Sequence, residues 1–218
     1  MLSKTSRGPK IFRLGSAEIN AETVEQAAAV LRSGGVVIYP TETFYALGAV
    51  ASLEKAVSRV FQIKGRDFGK PLPLIAADLP AVLSAASQWP QAADLLARVF
   101  WPGPLSLVIP ARLSLSQALH AETGKIALRV SSHPVASLLA KLSGGLLIST
   151  SANISGAPAP QNPAQVDKGL LACVDAMLDA GNLPGGFPST IVDVTVYPVE
   201  ILREGKIAAE DILGAFEK

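Results

Sequence analysis

Apolar residues in this chain switch repeatedly between a helical spacing and short unbroken runs. Over Glu22 to Arg32, Val24, Ala27, Ala28 and Leu31 recur at intervals of three and four, which predicts a helix with one buried face. Gly34 and Gly35 supply its stop. Val36 to Tyr39 is a short β-branched run closed by Pro40, the pattern of a strand buried on both faces. Ser52 is placed to cap a second helix, whose Leu53, Val57, Val60 and Phe61 share a face.

The same alternation continues. Leu72 to Ala76 reads as a strand, and two Ala-rich helices follow near Leu79–Ser87 and Gln91–Phe100. Trp101-Pro102-Gly103-Pro104 ends the second, because neither proline can continue it. Strands are expected at Leu105–Ile109, Ile126–Val130, Ala176–Asp179, Thr190–Val194 and Val199–Arg203. A helix is expected over His133–Leu142, with Gly144-Gly145 as its stop, and another near Ala209–Phe216. Leu146 to Thr150 reads as one strand running into Ser151-Ala152-Asn153. The Pro-, Ala- and Gly-rich stretch Asn153 to Pro163 reads as a mobile loop beside a site rather than a domain linker. Strands alternating with helices predict an α/β fold: a single domain at 17–218 built on a twisted, open, mixed sheet flanked by helices.

Composition narrows the function. Of 218 residues, 49% are hydrophobic and 17% charged, enough apolar material for a core and against wholesale disorder. The net charge of +1 leaves no global field for nucleic acid or an anionic membrane, so any grip on a polyanion must be local. No apolar run approaches the ~18 residues of a membrane span. The basic segment 1–16 has no apolar core, so it reads as a frayed, flexible arm and not as a signal peptide. With Cys173 the single cysteine, disulfides and thiolate metal clusters are excluded, and a cytoplasmic location is the default. The two histidines, His120 and His133, lie too far apart in sequence to suggest a metal pair, so no protein-built metal site is expected.

Three segments carry candidate chemistry. Lys64, Arg66 and Lys70 crowd three cations into seven residues at a helix end, with Gly65 and Gly69 allowing close backbone approach. They suit either a phosphate or simply the helix dipole and solvent. Thr41, Thr43 and Tyr45 bring hydroxyls to the end of a strand, where α/β sheets bind ligands. An ordinary turn, with Thr and Glu satisfying backbone groups, is the competing account. Ser149-Thr150-Ser151-Ala152-Asn153-Ile154-Ser155 brings four hydroxyls and an amide to another strand end, more than a turn requires. Ser189 opens a late strand, while Arg129 and Arg203 sit at strand ends. No phosphate-binding glycine-lysine loop, dinucleotide fingerprint or nucleophile elbow is present. Positioning and charge neutralisation are therefore the expected chemistry.

Taken in order, YPTETFYALG at 39–48, KGRDFGKPL at 64–72, WPGPLSLVIP at 101–110, ALRVSSHP at 127–134, STSANISG at 149–156, PSTIVDV at 188–194 and ILREG at 201–205 resemble the YrdC-like family of threonylcarbamoyl-AMP synthases, in its short bacterial form. The resemblance implies a concave basic cavity on the sheet. It also implies formation of L-threonylcarbamoyl-AMP and pyrophosphate from L-threonine, bicarbonate or CO2, and ATP, with Mg2+ arriving on the ATP. The product would feed N6-threonylcarbamoyladenosine at tRNA position 37 through downstream transfer proteins, with at most weak contact to tRNA itself. Matched residue by residue, Thr43, Arg129, Ser151 and Ser189 would hold threonine or its carbamate. Lys64, Arg66, Lys70, Lys125, Asn153, Gln161 and Arg203 would hold ATP, with Lys64 and Arg66 serving catalysis. Three positions depart from the usual pattern: Ile75 stands where the long form has His, Ala46 replaces a Gly and Asp67 a Pro. The competing class is a module binding tRNA or double-stranded RNA on the same basic surface without ATP turnover. Near-neutral charge and the absence of a stacking-platform pattern count against it.

Overall fold

The computed structural model describes residues 8–15, 20–112, 115–121 and 123–217. The chain begins with β1 (Lys10–Arg13), α1 (Ala21–Arg32), the β2 (Val37–Pro40) and β3 (Tyr45–Gly48) pair, and α2 (Glu54–Lys64). Next come β4 (Leu74–Ala76), α3 (Leu79–Ala85), α4 (Gln91–Phe100), β5 (Leu105–Pro110), α5 (Gln117–His120) and β6 (Lys125–Val130). Then follow α6 (Pro134–Leu142), β7 (Leu146–Ile148), β8 (Thr150–Ser151), α7 (Lys168–Leu171), β9 (Ala176–Asp179), β10 (Thr190–Asp193), β11 (Glu200–Arg203) and α8 (Ala209–Gly214).

The strands form two mixed sheets where the sequence suggested one. The first runs β1-β9-β2-β3-β8 and the second β11-β10-β5-β6-β4-β7. The division falls inside the predicted strand Leu146–Thr150. Its first half pairs with β4, its second half with β3, and the chain changes sheets at Ser149, whose N–H donates to Pro73 O at 2.8 Å. Ile148 N–H to Ala49 O (2.9 Å) and Ala51 N–H to Leu146 O (3.1 Å) stitch the two sheets together beside this crossing.

Unbroken apolar runs are explained by burial on both faces. In β2, Val37 and Tyr39 pack into a cluster with α1 and α6, while Ile38, with Val36 just before the strand, packs into a larger cluster with α2 and α4. The predicted face of α1 (Val24, Ala27, Ala28, Leu31) is fully buried. Its start is capped by Asn20, whose side chain accepts from Thr23 N–H at 3.1 Å. Its end turns at Gly34, where φ is +87°.

Three local expectations change. Lys10–Arg13, expected within a frayed arm, is an edge strand parallel to β9, and its charged exposed positions suit an edge. Met1–Arg7 and Ser16 of that expected arm lie outside the described residues. Tyr45–Gly48, for which no strand is expected from the sequence, is a fully buried strand antiparallel to β2. Ser52 does not cap α2: Leu53 occupies that position and makes no side-chain cap. Among the described residues no helix is long and apolar enough to cross a membrane.

Candidate active site

The second sheet gives one face to its core and the other to a cavity, and the two-residue period of its strands sorts the side chains. In β6, Ile126, Leu128 and Val130 enter the core while Lys125, Ala127 and Arg129 line the cavity. In β10, Val192 is in the core, whereas Ile191, Asp193 and the preceding Ser189 face the cavity. The turn after β2 (Thr41, Thr43, Phe44), the crossing Ser149–Ser151 and Arg66, Arg203 and Ala159 also line it. The cavity measures about 590 Å³. A second cavity of about 390 Å³ adjoins it, lined by Lys64, Arg66, Asp67, Lys70, Ser151, Asn153 and Ser155 among others. Arg66 and Ser151 belong to both walls.

Each charged group has a distinct setting. Arg129, with a side chain only 5% exposed, donates Nε–H to Glu42 Oε1 at 2.8 Å. Ser131 Oγ–H donates to the other carboxylate oxygen through a short hydrogen bond. Burial pushes the Glu42 carboxyl upward, but Arg129 and Ser131 outweigh it and hold it below its ordinary value. Lys125 Nζ–H donates to Asp193 Oδ2 at 2.9 Å. Burial also works against ionised Asp193, yet Thr195 and Lys125 keep its carboxyl below the usual range. Arg203 reaches back to the Ser189 carbonyl (2.8 and 3.1 Å) and to its hydroxyl (3.1 Å), and burial followed by the Arg129 charge lowers its affinity for a proton. Ser189 Oγ also lies 3.3 Å from Ser106 Oγ.

Lys64 departs most from expectation. Its Nζ is not turned outward as a free cation; it donates to Ser151 O (2.5 Å), Asn153 O (2.9 Å) and Asn153 Oδ1 (3.0 Å). All three ammonium protons are thereby used to fix the strand-end loop. Burial, with the Arg66 charge second, pushes this ammonium down to about 8. Ser151 Oγ–H donates to Asn153 Oδ1 at 2.6 Å, and Asn153 Nδ2–H donates to Ala157 O, so the whole loop is organised around Lys64. Arg66 is tethered more loosely, to the Lys70 and Pro71 carbonyls (3.2 and 2.9 Å), and burial lowers its proton affinity.

Of the residues singled out in the sequence, Thr43, Arg129, Ser151, Ser189, Lys125, Arg66 and Arg203 meet in the larger cavity, and Lys64, Arg66, Lys70, Ser151 and Asn153 in the smaller. Gln161 joins neither wall. Its backbone bonds Gln165 and Leu183, and its side chain packs over Gly185. Glu42, Asp193, Ser131 and Ser106 escaped the sequence reading as site residues. Glu42 lay inside a quoted motif, but only folding brings it to Arg129, 87 positions away.

A family model described as Telomere recombination, for Sua5, YciO and YrdC, matches residues 29–205. A threonylcarbamoyl-AMP synthase of Pyrococcus abyssi is 37% identical over 186 residues, covering 85% of this chain and 55% of that relative. One from Bacillus subtilis is 35% identical over 194 residues, covering 88% of this chain and 56% of its own length, so the chain spans little more than half of either. Pyrococcus abyssi Sua5, solved in complex with L-threonine, superimposes with a TM-score of 0.90 at 34% identity, covering 94% of this chain and 60% of the other. Escherichia coli YciO superimposes with a TM-score of 0.84 at 26% identity, covering 94% and 99%.

Proposed function

The chain belongs to the Sua5/YciO/YrdC family, and from that premise we propose that it is an L-threonylcarbamoyladenylate synthase. It joins L-threonine, bicarbonate or CO2, and ATP into threonylcarbamoyl-AMP with release of pyrophosphate, for the N6-threonylcarbamoyl modification of tRNA position 37. The observation that carries this reading is the pair of adjoining cavities with Arg66 and Ser151 in their common wall. The larger combines hydroxyls with Arg129, which suits an amino acid's carboxylate and hydroxyl. Its Lys125 and Arg203, with Arg66 in the common wall and Lys70 in the smaller cavity, suit a polyphosphate reaching from one cavity to the other. The name of the Pyrococcus abyssi relative and its complex with L-threonine support the same assignment.

In this reading the threonine amine attacks CO2, forming the N–C bond and losing a proton. A carbamate oxygen then attacks the α-phosphorus in line as the bond to pyrophosphate breaks. Arg129 holds the carboxylate, and Thr43, Ser151 and Ser189 supply hydrogen bonds to threonine or its carbamate. Arg66, Lys70, Lys125 and Arg203 neutralise charge on the triphosphate, most valuably where it develops on the leaving group. Lys64 and Asn153 shape the phosphate end, Lys64 by holding the loop that Asn153 belongs to. Among the described residues no group of three or more His, Cys, Asp or Glu is placed to cage a metal. Mg2+ carried on the ATP phosphates would neutralise charge there, with Asp67 a carboxylate on the smaller wall. Downstream transfer proteins receive the adenylate, in a cytoplasmic setting.

Incubation with ATP, bicarbonate and labelled threonine, followed by mass detection, tests the assignment; threonylcarbamoyl-AMP is expected in wild type. Arg66→Ala should lower its formation at least ~100-fold while leaving the fold intact, because among the described residues the side-chain hydrogen bonds of Arg66 stay within its own loop. Near-wild-type turnover in that variant, or salt-sensitive RNA binding without ATP turnover, would overturn it.

A further inference from the structure

Arg129 is a long, buried cationic side chain in the wall of the larger cavity. Among the described residues its guanidinium has one protein partner, Glu42 at Nε, and the residue lines the larger cavity. Its two terminal nitrogens, the pair that forms a fork for a carboxylate, are therefore left for a ligand. Glu42 is itself held. Its backbone sits in a turn built by Thr41, whose Oγ1 accepts from Thr43 N–H and Phe44 N–H (3.3 Å each) and donates to Phe44 O at 2.7 Å. Its second carboxylate oxygen accepts from Ser131 Oγ–H, and Ser131 Oγ accepts from His133 N–H at 3.1 Å. A relay of fixed contacts thus runs from the start of α6 through Ser131 and Glu42 to Arg129.

We propose that Glu42 is the positioning residue of this site: by bonding Arg129 at Nε it keeps the terminal edge of the guanidinium turned to the cavity as a bidentate receptor for the α-carboxylate of the amino-acid substrate. The proposal rests on the reading of the cavity as a threonine site. An arginine loses rotamer freedom when fixed, and Glu42 imposes that order before substrate arrives. The Glu42 side chain is 10% exposed, and its charge leaves the pair neutral, so the buried guanidinium is tolerated in the empty cavity.

The test uses the full chain and steady-state pyrophosphate release, varying threonine at saturating ATP and the reverse. Glu42→Ala should raise the threonine KM at least ~30-fold while the ATP KM stays within ~3-fold, as misplacement of a binding group predicts. Glu42→Gln keeps an acceptor for Nε and an amide toward Ser131, and should recover most of that loss, to within ~5-fold of wild type. Ser131→Ala, which loosens Glu42 but leaves its bond to Arg129, should raise the threonine KM ~3–10-fold. A folded Glu42→Ala with unchanged threonine KM, an equal rise in ATP KM, or a Glu42→Gln as impaired as Glu42→Ala overturns the proposal. If Glu42→Ala does not fold, an unchanged threonine KM in Ser131→Ala overturns it instead. Absence of adenylate from wild type refutes the activity alone. Calorimetric titration with L-threonine and with threoninol, which lacks the carboxylate, then decides: binding of threonine only, weakened in Ser131→Ala, is expected, and equal binding of both overturns the proposal.

Discussion

Replacing Lys64 with methionine separates its role in the loop from its role in the fold. The residue is 2% exposed, and its Nζ donates to Ser151 O, Asn153 O and Asn153 Oδ1. Holding a charge there is costly: the fall from 10.5 to about 8 corresponds to about 3 kcal/mol at neutral pH. Methionine is similar in shape and removes that cost, but it leaves Ser151 O and Asn153 O without a donor, at ~1–3 kcal/mol each where water cannot reach, while Asn153 Oδ1 keeps Ser151 Oγ–H. Asn153 borders an open cavity, so water can satisfy part of this. The two effects largely offset, and a net loss of ~2 kcal/mol, or a Tm lower by ~4–8 °C, is expected. Activity should respond far more strongly. With the 151–153 loop released and a cation gone, adenylate formation should fall at least ~100-fold.

A pH series sharpens the same comparison. The folded pKa of Lys64 lies below its unfolded value, so the unfolded chain binds the extra proton between about 8 and 10.5. The stability that this group contributes is fully present above pH 10.5 and is lost as pH falls through about 8. Wild type should therefore gain on Lys64→Met between pH 7.5 and pH 10.5 by about 3 kcal/mol, read by urea denaturation at both pH values. A constant difference across that window, or a variant with wild-type turnover, refutes the account of Lys64 as a buried cation that orders the loop.

Two further outcomes are expected. A Cβ at Gly48 would meet the Tyr39 ring and the Ile148 carbonyl, groups already joined by the Tyr39 hydroxyl bond at 2.9 Å; Gly48→Ala should therefore lose roughly 1–3 kcal/mol in thermal denaturation, and an unchanged Tm would contradict the close packing of β2, β3 and β7. Asp193→Asn keeps an acceptor for Thr195 but frees Lys125 from its counter-ion; ATP binding by calorimetry should tighten ~3-fold at low salt, and weaker binding would remove Lys125 from the nucleotide side.

Much of the helical framework was legible because each helix repeats its apolar residues within one turn. The face of α1, the stop at Gly34 and the break after α4 at Trp101 are all local facts. The strands were read less completely. Tyr45–Gly48 lies in a motif rich in hydroxyls and carries no strand signal of its own, yet pairing with β2 on one side and β8 on the other makes it a buried strand. Lys10–Arg13 looked like an arm because strand formation at an edge needs a partner, here β9, which lies more than 160 positions on.

The amino-acid order by itself determined the alternation of helices and strands, the two hydroxyl-rich strand ends and the cationic stretch at 64–70, since each is written within a few neighbouring residues. Only the tertiary structure decided what those groups do for one another. It broke Leu146–Thr150 between two sheets, buried Lys64 beneath the loop that it orders, and brought Glu42 to Arg129 and Asp193 to Lys125. The physical reason is that a charge's neighbours fix its proton affinity, its orientation and its freedom to meet a ligand, and here those neighbours come from strands far apart in sequence.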